Sequence, residues 1–148
     1  MSLVERIYSP TTADVQSGLN QKRYVERGTI AAVAAAQISF LGARVDVNQI
    51  RVIDCVSFTA LPGAAQTCLG AEFRVSDPAG ATTTWASVFV PASQPGAALR
   101  AFGSQTCELI LMPQEQLFVI ITFNAGVAAN SGEVSAHGWG IPKGNVLA

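Results

Sequence analysis

Short apolar segments separated by glycine and proline restrict this chain to a small set of β folds. Strand-like runs recur at residues 50–60, 71–76, 82–90, 105–112, 117–124 and 133–141. They are rich in β-branched and aromatic residues, and turn-forming residues separate them at intervals of about 8–12 residues. We find no convincing helical segment after residue 42. The pattern therefore predicts an antiparallel β-sandwich or barrel.

The segment Asp77-Pro78-Ala79-Gly80 carries the strongest turn signal in the chain. Asp at the first position, Pro at the second and Gly at the fourth are the preferred residues of a type I turn. The flanking runs, residues 71–76 and 82–90, are therefore predicted to form a hairpin.

Three other segments are harder to interpret. Residues 29–41 contain many alanines, which favour helix, but Ile38 and Phe40 before Gly42 favour a strand, and we favour the strand. Residues 43–47 form a short alternating stretch, a bend is expected at residues 46–49, and residues 97–102 are predicted as a short strand. Within residues 50–60, a period of two places Ile50, Val52, Val56 and Phe58 on one face, with Asp54 among them.

The first 28 residues differ from the rest of the chain. They contain several charged residues together with Pro10, Ser17 and Gly18. We interpret residues 1–28 as an extended N-terminal arm with at most one short helical turn near residues 12–19. Residues 29–148 are then the β-sandwich domain.

The chain is unusually poor in charge. Charged residues make up 13% of it and hydrophobic residues 49%, whereas an average soluble domain carries about 25% charged residues. The formal net charge of −1 argues against binding to nucleic acid or to an anionic membrane surface. A surface so poor in ions favours association with other subunits.

The chain contains three cysteines, Cys55, Cys68 and Cys107. We see no secretion signal, and an odd number of cysteines without one indicates free thiols in a reducing compartment. Cys55 and Cys107 are expected to be small buried hydrophobes, and Cys68, in a loop-like stretch, could pair with one of them. The C-x-x-C spacing of a metal site is absent.

No catalytic, cofactor or metal site is expected. His137 is the single histidine, and we interpret it as a partly exposed or hydrogen-bonded strand residue rather than a general base. One histidine is also too few for the metal site of a cupin-like barrel.

Among the strand carboxylates Asp54, Glu72, Glu108, Glu115 and Glu133, nothing selects a catalytic pair. Asp54 lies on the more apolar face, so an arginine partner such as Arg44, Arg74 or Arg100 is expected.

Residues 109–122 (LILMPQEQLFVIIT) run as a strand, a proline-led turn and a strand, and a final strand ends in Ile141-Pro142. This order resembles the closing strands of small β-sandwich or jelly-roll proteins of tailed-phage virions, especially capsid decoration (cement) proteins. The resemblance implies a jelly-roll-like sandwich that clamps adjacent capsomers without catalytic residues. The alanine-rich residues 29–41 fit this pattern least well.

These observations predict a structural virion protein, folded in the host cytoplasm, that forms a homo-oligomer (a trimer is one option). Its partner would be a major capsid or other virion protein. Another head or tail component remains open. The alternative from a different class is a sugar- or receptor-binding module that uses Trp85, Trp139 and Tyr24. An enzyme is the third hypothesis. Deleting residues 1–24 is expected to leave the domain folded but to weaken binding to the particle.

Overall fold

The computed structural model describes residues 22–90 and 100–142, and within them the protein is all-β. Eight strands follow in chain order: β1 (Lys22–Val33), β2 (Gln37–Leu41), β3 (Gln49–Leu61), β4 (Cys68–Ser76), β5 (Thr82–Phe89), β6 (Ala101–Leu111), β7 (Gln116–Phe123) and β8 (Asn130–Pro142). The predicted antiparallel β-sandwich is thus confirmed.

The strands form two four-stranded antiparallel sheets that pack face to face. The strand order is β1-β8-β3-β6 in the first sheet and β2-β7-β4-β5 in the second. Except for β4 and β5, each strand passes to the opposite sheet from the strand before it. This alternation, with the last strand inserted between β1 and β3, is the jelly-roll connectivity.

The β4–β5 connection is the hairpin that the sequence predicts. Gly80 N donates a hydrogen bond to Asp77 O at 3.0 Å, which closes the turn. The carboxylate of Asp77 also accepts a hydrogen bond from Ala81 N at 2.9 Å. Gly80 has a φ of 91°, in the left-handed region that favours glycine.

Residues 29–41 form two strands rather than one. β1 ends at Val33 in the first sheet, and β2 begins at Gln37 in the second, so residues 34–36 cross between the sheets. Two backbone carbonyls of this crossing accept hydrogen bonds: Phe123 N donates to Ala36 O at 2.8 Å, and Asn130 Nδ2 donates to Ala35 O at 2.8 Å. The short alternating stretch at residues 43–47 forms a connection without strand structure. The N–H of Val45 donates to Glu115 O in the β6–β7 turn at 3.0 Å.

The sandwich begins before the predicted boundary at residue 28. β1 starts at Lys22 and pairs with β8 from Lys22–Gly140 to Thr29–Glu133 and beyond, so residues 22–28 belong to the sheet. The remainder of the predicted arm, including the helical turn near residues 12–19, lies outside the described residues. So does the start of the short strand predicted at residues 97–102, which the structure describes only from Arg100.

The core consists of the inward side chains of both sheets. Phe73 is fully buried, and its ring lies 6.3 Å from that of Phe58 in the opposite sheet and 6.4 Å from that of Trp85. Aromatic pairs at this separation add to the stabilisation that apolar burial provides. Val56, Val119 and Ile121 are also fully buried in this layer.

A β-bulge at Asp54 changes the face to which β3 presents its side chains. The register of β3 with both β6 and β8 shifts between Ile53 and Cys55. Ile53 therefore joins the core with Val56 and Phe58, whereas Ile50 and Val52 lie on the outer face. The prediction that the apolar residues of this strand share one face is wrong. The extra residue in the bulge reverses which residues point inward and which point outward beyond it. The carboxylate of Asp54 is exposed and forms no ion pair with any described arginine.

Two buried amide side chains join three loops at one end of the sandwich. The Asn130 amide is fully buried, and its Oδ1 accepts hydrogen bonds from Gly63 N (2.8 Å) and Gln66 Nε2 (2.7 Å). Its Nδ2 donates to Ala35 O (2.8 Å) and Ala125 O (3.1 Å), so all four of its hydrogen-bonding positions are used. Gln66 Oε1 accepts from Val127 N at 2.8 Å. A fully satisfied network of this kind positions the loops relative to the two sheets.

We therefore predict that Asn130→Ala lowers the free energy of unfolding by about 2–3 kcal/mol, because it leaves buried backbone groups without partners. Urea unfolding followed by tryptophan fluorescence measures the change. The matched control is Asn48→Ala at an exposed turn position, which should change the stability by less than about 0.5 kcal/mol. Equal effects of the two substitutions would contradict this role for Asn130.

Candidate interaction surfaces

Part of the outer face of the first sheet is formed by polar side chains on three adjacent strands. Cross-strand pairing places Arg27 of β1, Ser135 of β8 and Ser57 of β3 in one row. The adjacent row contains Thr29, Glu133 and Thr59. We call these six residues the polar array. They line a depression of about 470 Å³ over the central strand β8.

His137 lies beside this array but does not complete a catalytic triad. Its Nε2 lies 3.0 Å from Ser135 Oγ, and the ring is half-buried, which confirms a hydrogen-bonded strand histidine. A triad also requires a carboxylate that orients the imidazole from its other nitrogen. Glu133 lies on the opposite side of Ser135 along the strand, four residues from His137. At about 3.3 Å per residue this separation is too large for that role.

The carboxylates proposed from the sequence are dispersed across the structure. Glu72 accepts a hydrogen bond from Arg74 Nε at 2.8 Å on the second sheet, and Glu115 accepts one from Met112 N at 2.8 Å in the β6–β7 turn. Glu108 and Glu133 are exposed on different strands of the first sheet. Among residues 22–90 and 100–142, no three His, Cys, Asp or Glu side chains come together as a metal site.

The three aromatic residues proposed as a sugar platform are separated. Trp85 packs into the core against Phe73. Trp139 lies on the outer face of the first sheet, beside Val52 and Ile141, with the Arg23 guanidinium 5.7 Å from its ring centre. Tyr24 is half-buried and packs against the core. They therefore do not form one stacking surface.

Tyr24 belongs to a polar cluster near the sheet edge. The Arg51 guanidinium stacks on its ring at 4.0 Å and donates to Ala43 O at 2.8 Å. The Tyr24 hydroxyl donates a hydrogen bond to Glu26, whose carboxylate also accepts one from Ala43 N at 2.7 Å. Burial and the hydrogen bond to Glu26 together raise the pKa of Tyr24 well above its usual value.

The outer face of the second sheet also exposes large apolar side chains. It carries Leu41, Leu69 and Phe89, with exposures of 54%, 41% and 85%, beside the half-buried Phe118 and Ile120. Next to Phe89 is a depression of about 230 Å³ at Gly70. A Cβ at Gly70 would lie 2.2 Å from Val88 O, so a larger residue cannot replace it without a backbone shift. We call this surface the apolar face.

Two cysteines are described with their side chains, and both are free thiols. Cys68 is buried and Cys55 is half-buried, so these two do not form the disulfide that the sequence left open. Burial raises the pKa of both thiols, and the charge of Asp54 raises that of Cys55 further. Raised pKa values disfavour the reactive thiolate at neutral pH.

The polar array and the apolar face were not evident from the sequence. Each depends on the order of strands in its sheet, which brings together residues about 20 to 110 positions apart. The signal that was available is the alternation of Ser57 with Phe58 and of Ser135 with Val134, which marks one face of each strand as polar.

In the part of the chain that the structure describes, no helix is long and apolar enough to span a bilayer. The sequence matches no protein-family model and no curated protein. The resemblance to phage decoration proteins therefore has no support from a sequence match.

Several solved structures resemble this chain in fold at low identity. The VP2 protein of infectious bursal disease virus, in T=1 particles, is 15% identical over 86% of this chain and 33% of its own, with a TM-score of 0.46. The Drosophila NLP core is 17% identical over 80% of this chain and 98% of its own, with a TM-score of 0.36. The C-terminal CBM6 of LamC from Zobellia galactanivorans is 13% identical over 79% and 98%, with a TM-score of 0.37. This chain thus spans about a third of the VP2 chain. Likeness at this level transfers no activity or partner.

We predict that Tyr24 stays protonated in the folded protein above pH 10, where an ordinary tyrosine ionises. Because the folded-state pKa is raised, the stabilisation from Tyr24 is fully present below pH 10. It is lost as the pH rises from 10 towards the folded-state pKa. Absorbance at 295 nm during an alkaline titration measures the ionisation, and subtraction of a Tyr24→Phe variant isolates this residue. Ionisation of Tyr24 at pH 10 in the folded protein would contradict the prediction.

Proposed function

We propose that this protein is a structural component of a virus particle, most specifically a capsid decoration protein that self-associates and binds the head lattice. Its jelly-roll domain would act by binding rather than by catalysis. The proposal draws on the sandwich fold, the low charge content and the pattern of the closing strands β6, β7 and β8. Multivalent attachment suits such a role, since each contact raises the effective concentration of the next.

The observation that carries the proposal is the apolar face. Large side chains such as Phe89 and Leu41 are exposed to water there, among threonines and serines. The charges of Glu72 and Arg74 on the same face largely cancel, because the two side chains form an ion pair. Apolar patches larger than about a few hundred Å² on a protein surface mark sites of interaction, and we propose that the apolar face is such a contact. Covering Phe89 and its neighbours with a second subunit would remove that apolar surface from water.

The edge of the second sheet supports the same conclusion. β5 is the terminal strand of the described sheet and contains neither a charged residue nor a proline between Thr82 and Phe89. Proteins commonly protect edge strands with such residues, as at β1, where Arg23, Glu26 and Arg27 lie along the edge. The bulge opposite Phe73 and Arg74 interrupts β5 only once. We therefore propose that β5 lies close to a neighbouring subunit.

In this proposal the segment before β1 would reach a second partner. Because β1 starts at Lys22, we now assign residues 1–21 to the proposed arm and Lys22 onwards to the sandwich. The arm would extend from the edge strand of the first sheet to an adjacent capsomer, while the apolar face contacts another copy of the protein.

We predict that Phe89→Glu reduces self-association at least about tenfold, because a charge would have to be buried in the subunit contact. Sedimentation equilibrium measures the association constant. The control is Val127→Glu, at an apolar residue that is 90% exposed in the loop before β8. This variant should associate like the wild type. A wild-type protein that stays monomeric at millimolar concentration would overturn the assembly proposal.

We also predict that removal of residues 1–20 leaves the sandwich folded but weakens attachment to the virus particle. The cut is placed before Lys22 because deleting residues 1–24, as the sequence suggested, would also remove Tyr24 and its contact with Arg51. Thermal unfolding reports on the fold, and co-sedimentation with particles stripped of the protein reports on attachment. Equally tight attachment of the truncated and intact proteins rules out the arm.

A further inference from the structure

The polar array consists entirely of side chains that donate or accept hydrogen bonds. All six outward side chains are polar: Arg27, Thr29, Ser57, Thr59, Glu133 and Ser135. They come from three adjacent strands and line one depression of about 470 Å³.

The hydrogen-bonding groups of the two charged side chains in the array are not occupied by each other. Arg27 pairs with Ser135 and Glu133 pairs with Thr29, so Arg27 and Glu133 are diagonal neighbours on β1 and β8. They nevertheless form no ion pair, whereas Arg74 and Glu72 do. Both side chains are exposed. The donors of the guanidinium and the acceptors of the carboxylate therefore remain free for a ligand above β8.

The mixture of groups selects the ligand class. A guanidinium only donates hydrogen bonds, a carboxylate only accepts them, and the four hydroxyls do both. A ligand whose own hydroxyls both donate and accept can satisfy all of them. The opposite charges of Arg27 and Glu133 offset each other, so an anionic ligand such as a phosphate gains an attraction at Arg27 but suffers a repulsion from Glu133.

The dimensions agree with a small carbohydrate. Adjacent strands lie about 4.8 Å apart and alternate residues about 6.7 Å apart along a strand. The six positions therefore cover an area of about 10 by 7 Å, close to the size of one or two sugar rings. Phe102 continues the row of Glu133 and Thr59 onto β6, with a 69% exposed side chain. An exposed ring beside polar side chains offers its face to the C–H groups of a sugar.

From this arrangement we propose that the outer face of the first sheet binds a neutral glycan. Glu133 and Arg27 would hold vicinal hydroxyls, Ser57 and Ser135 would line the floor, and Phe102 would stack on a ring. This surface is separate from the apolar face on the opposite sheet, so glycan binding does not depend on the assembly proposal. It also differs from the platform of Trp85, Trp139 and Tyr24 that the sequence suggested.

The test uses the full chain on an array of neutral and acidic glycans, followed by titration calorimetry with the oligosaccharide that binds best. We expect binding to a neutral glycan. Glu133→Gln should weaken it at least about tenfold, because hydrogen bonds to a charged acceptor are strong, and Phe102→Ala should weaken it similarly. The matched control is Glu108→Gln, at an exposed carboxylate on the edge strand β6, which should leave the affinity within twofold of the wild type.

Three results would overturn the proposal. They are no binding to any neutral glycan at millimolar concentration, binding that Glu133→Gln and Phe102→Ala leave unchanged, and a preference for acidic glycans. Thermal unfolding of each variant separates a loss of binding from a loss of fold. Because Phe89→Glu alters only the apolar face, it should bind the glycan normally. A failure of self-association and a failure of glycan binding are therefore distinguishable.

Discussion

The packing of two sheets through one layer of apolar side chains is the interaction on which the rest of this structure depends. Phe58 from the first sheet and Phe73 from the second meet in that layer, and Val119 and Ile121 fill the space beside them. Neither sheet could remain in water alone, because each would expose its entire inner face. Both outer surfaces are presented on this rigid layer, so their geometry depends on it.

The ends of the sandwich are held by polar contacts instead. Asn130 and Gln66 join the crossing at residues 34–36 to the loops before β4 and β8. At the edge of the first sheet, Arg51 and Glu26 bind the backbone of Ala43. Loops between opposite sheets carry many backbone groups that no strand can pair, and buried side chains supply the missing partners. This explains why a chain so low in charge still buries the polar side chains of Arg51, Gln66 and Asn130.

Much of the fold was predictable from local sequence, and the reasons for the failures are specific. The later strands were located because β-branched runs are bounded by turn residues, as at Asp77–Gly80. The break at residues 34–36 was missed because alanine fits a strand, a helix or a crossing equally well. The bulge at Asp54 was missed because a period of two continues through it in the sequence. The boundary of the arm was predicted too late in the sequence, because charged residues such as Arg23 and Glu26 are typical of a solvated segment. They belong to an edge strand instead. The polar array and the apolar face required the strand order, which is a non-local property.

In β3 and β8, inward-facing and outward-facing side chains alternate, so substitutions can change one set without the other. Ser57 lies between Val56 and Phe58, and Ser135 lies between Val134 and Ala136, so each outward-facing, half-buried serine is flanked by two interior residues on the same strand. Substitutions at the outward-facing positions change the chemistry of the outer surface without altering the apolar layer that keeps the sandwich folded. The outer surface and the core can therefore diverge independently in evolution, even though both are encoded in the same few segments of chain.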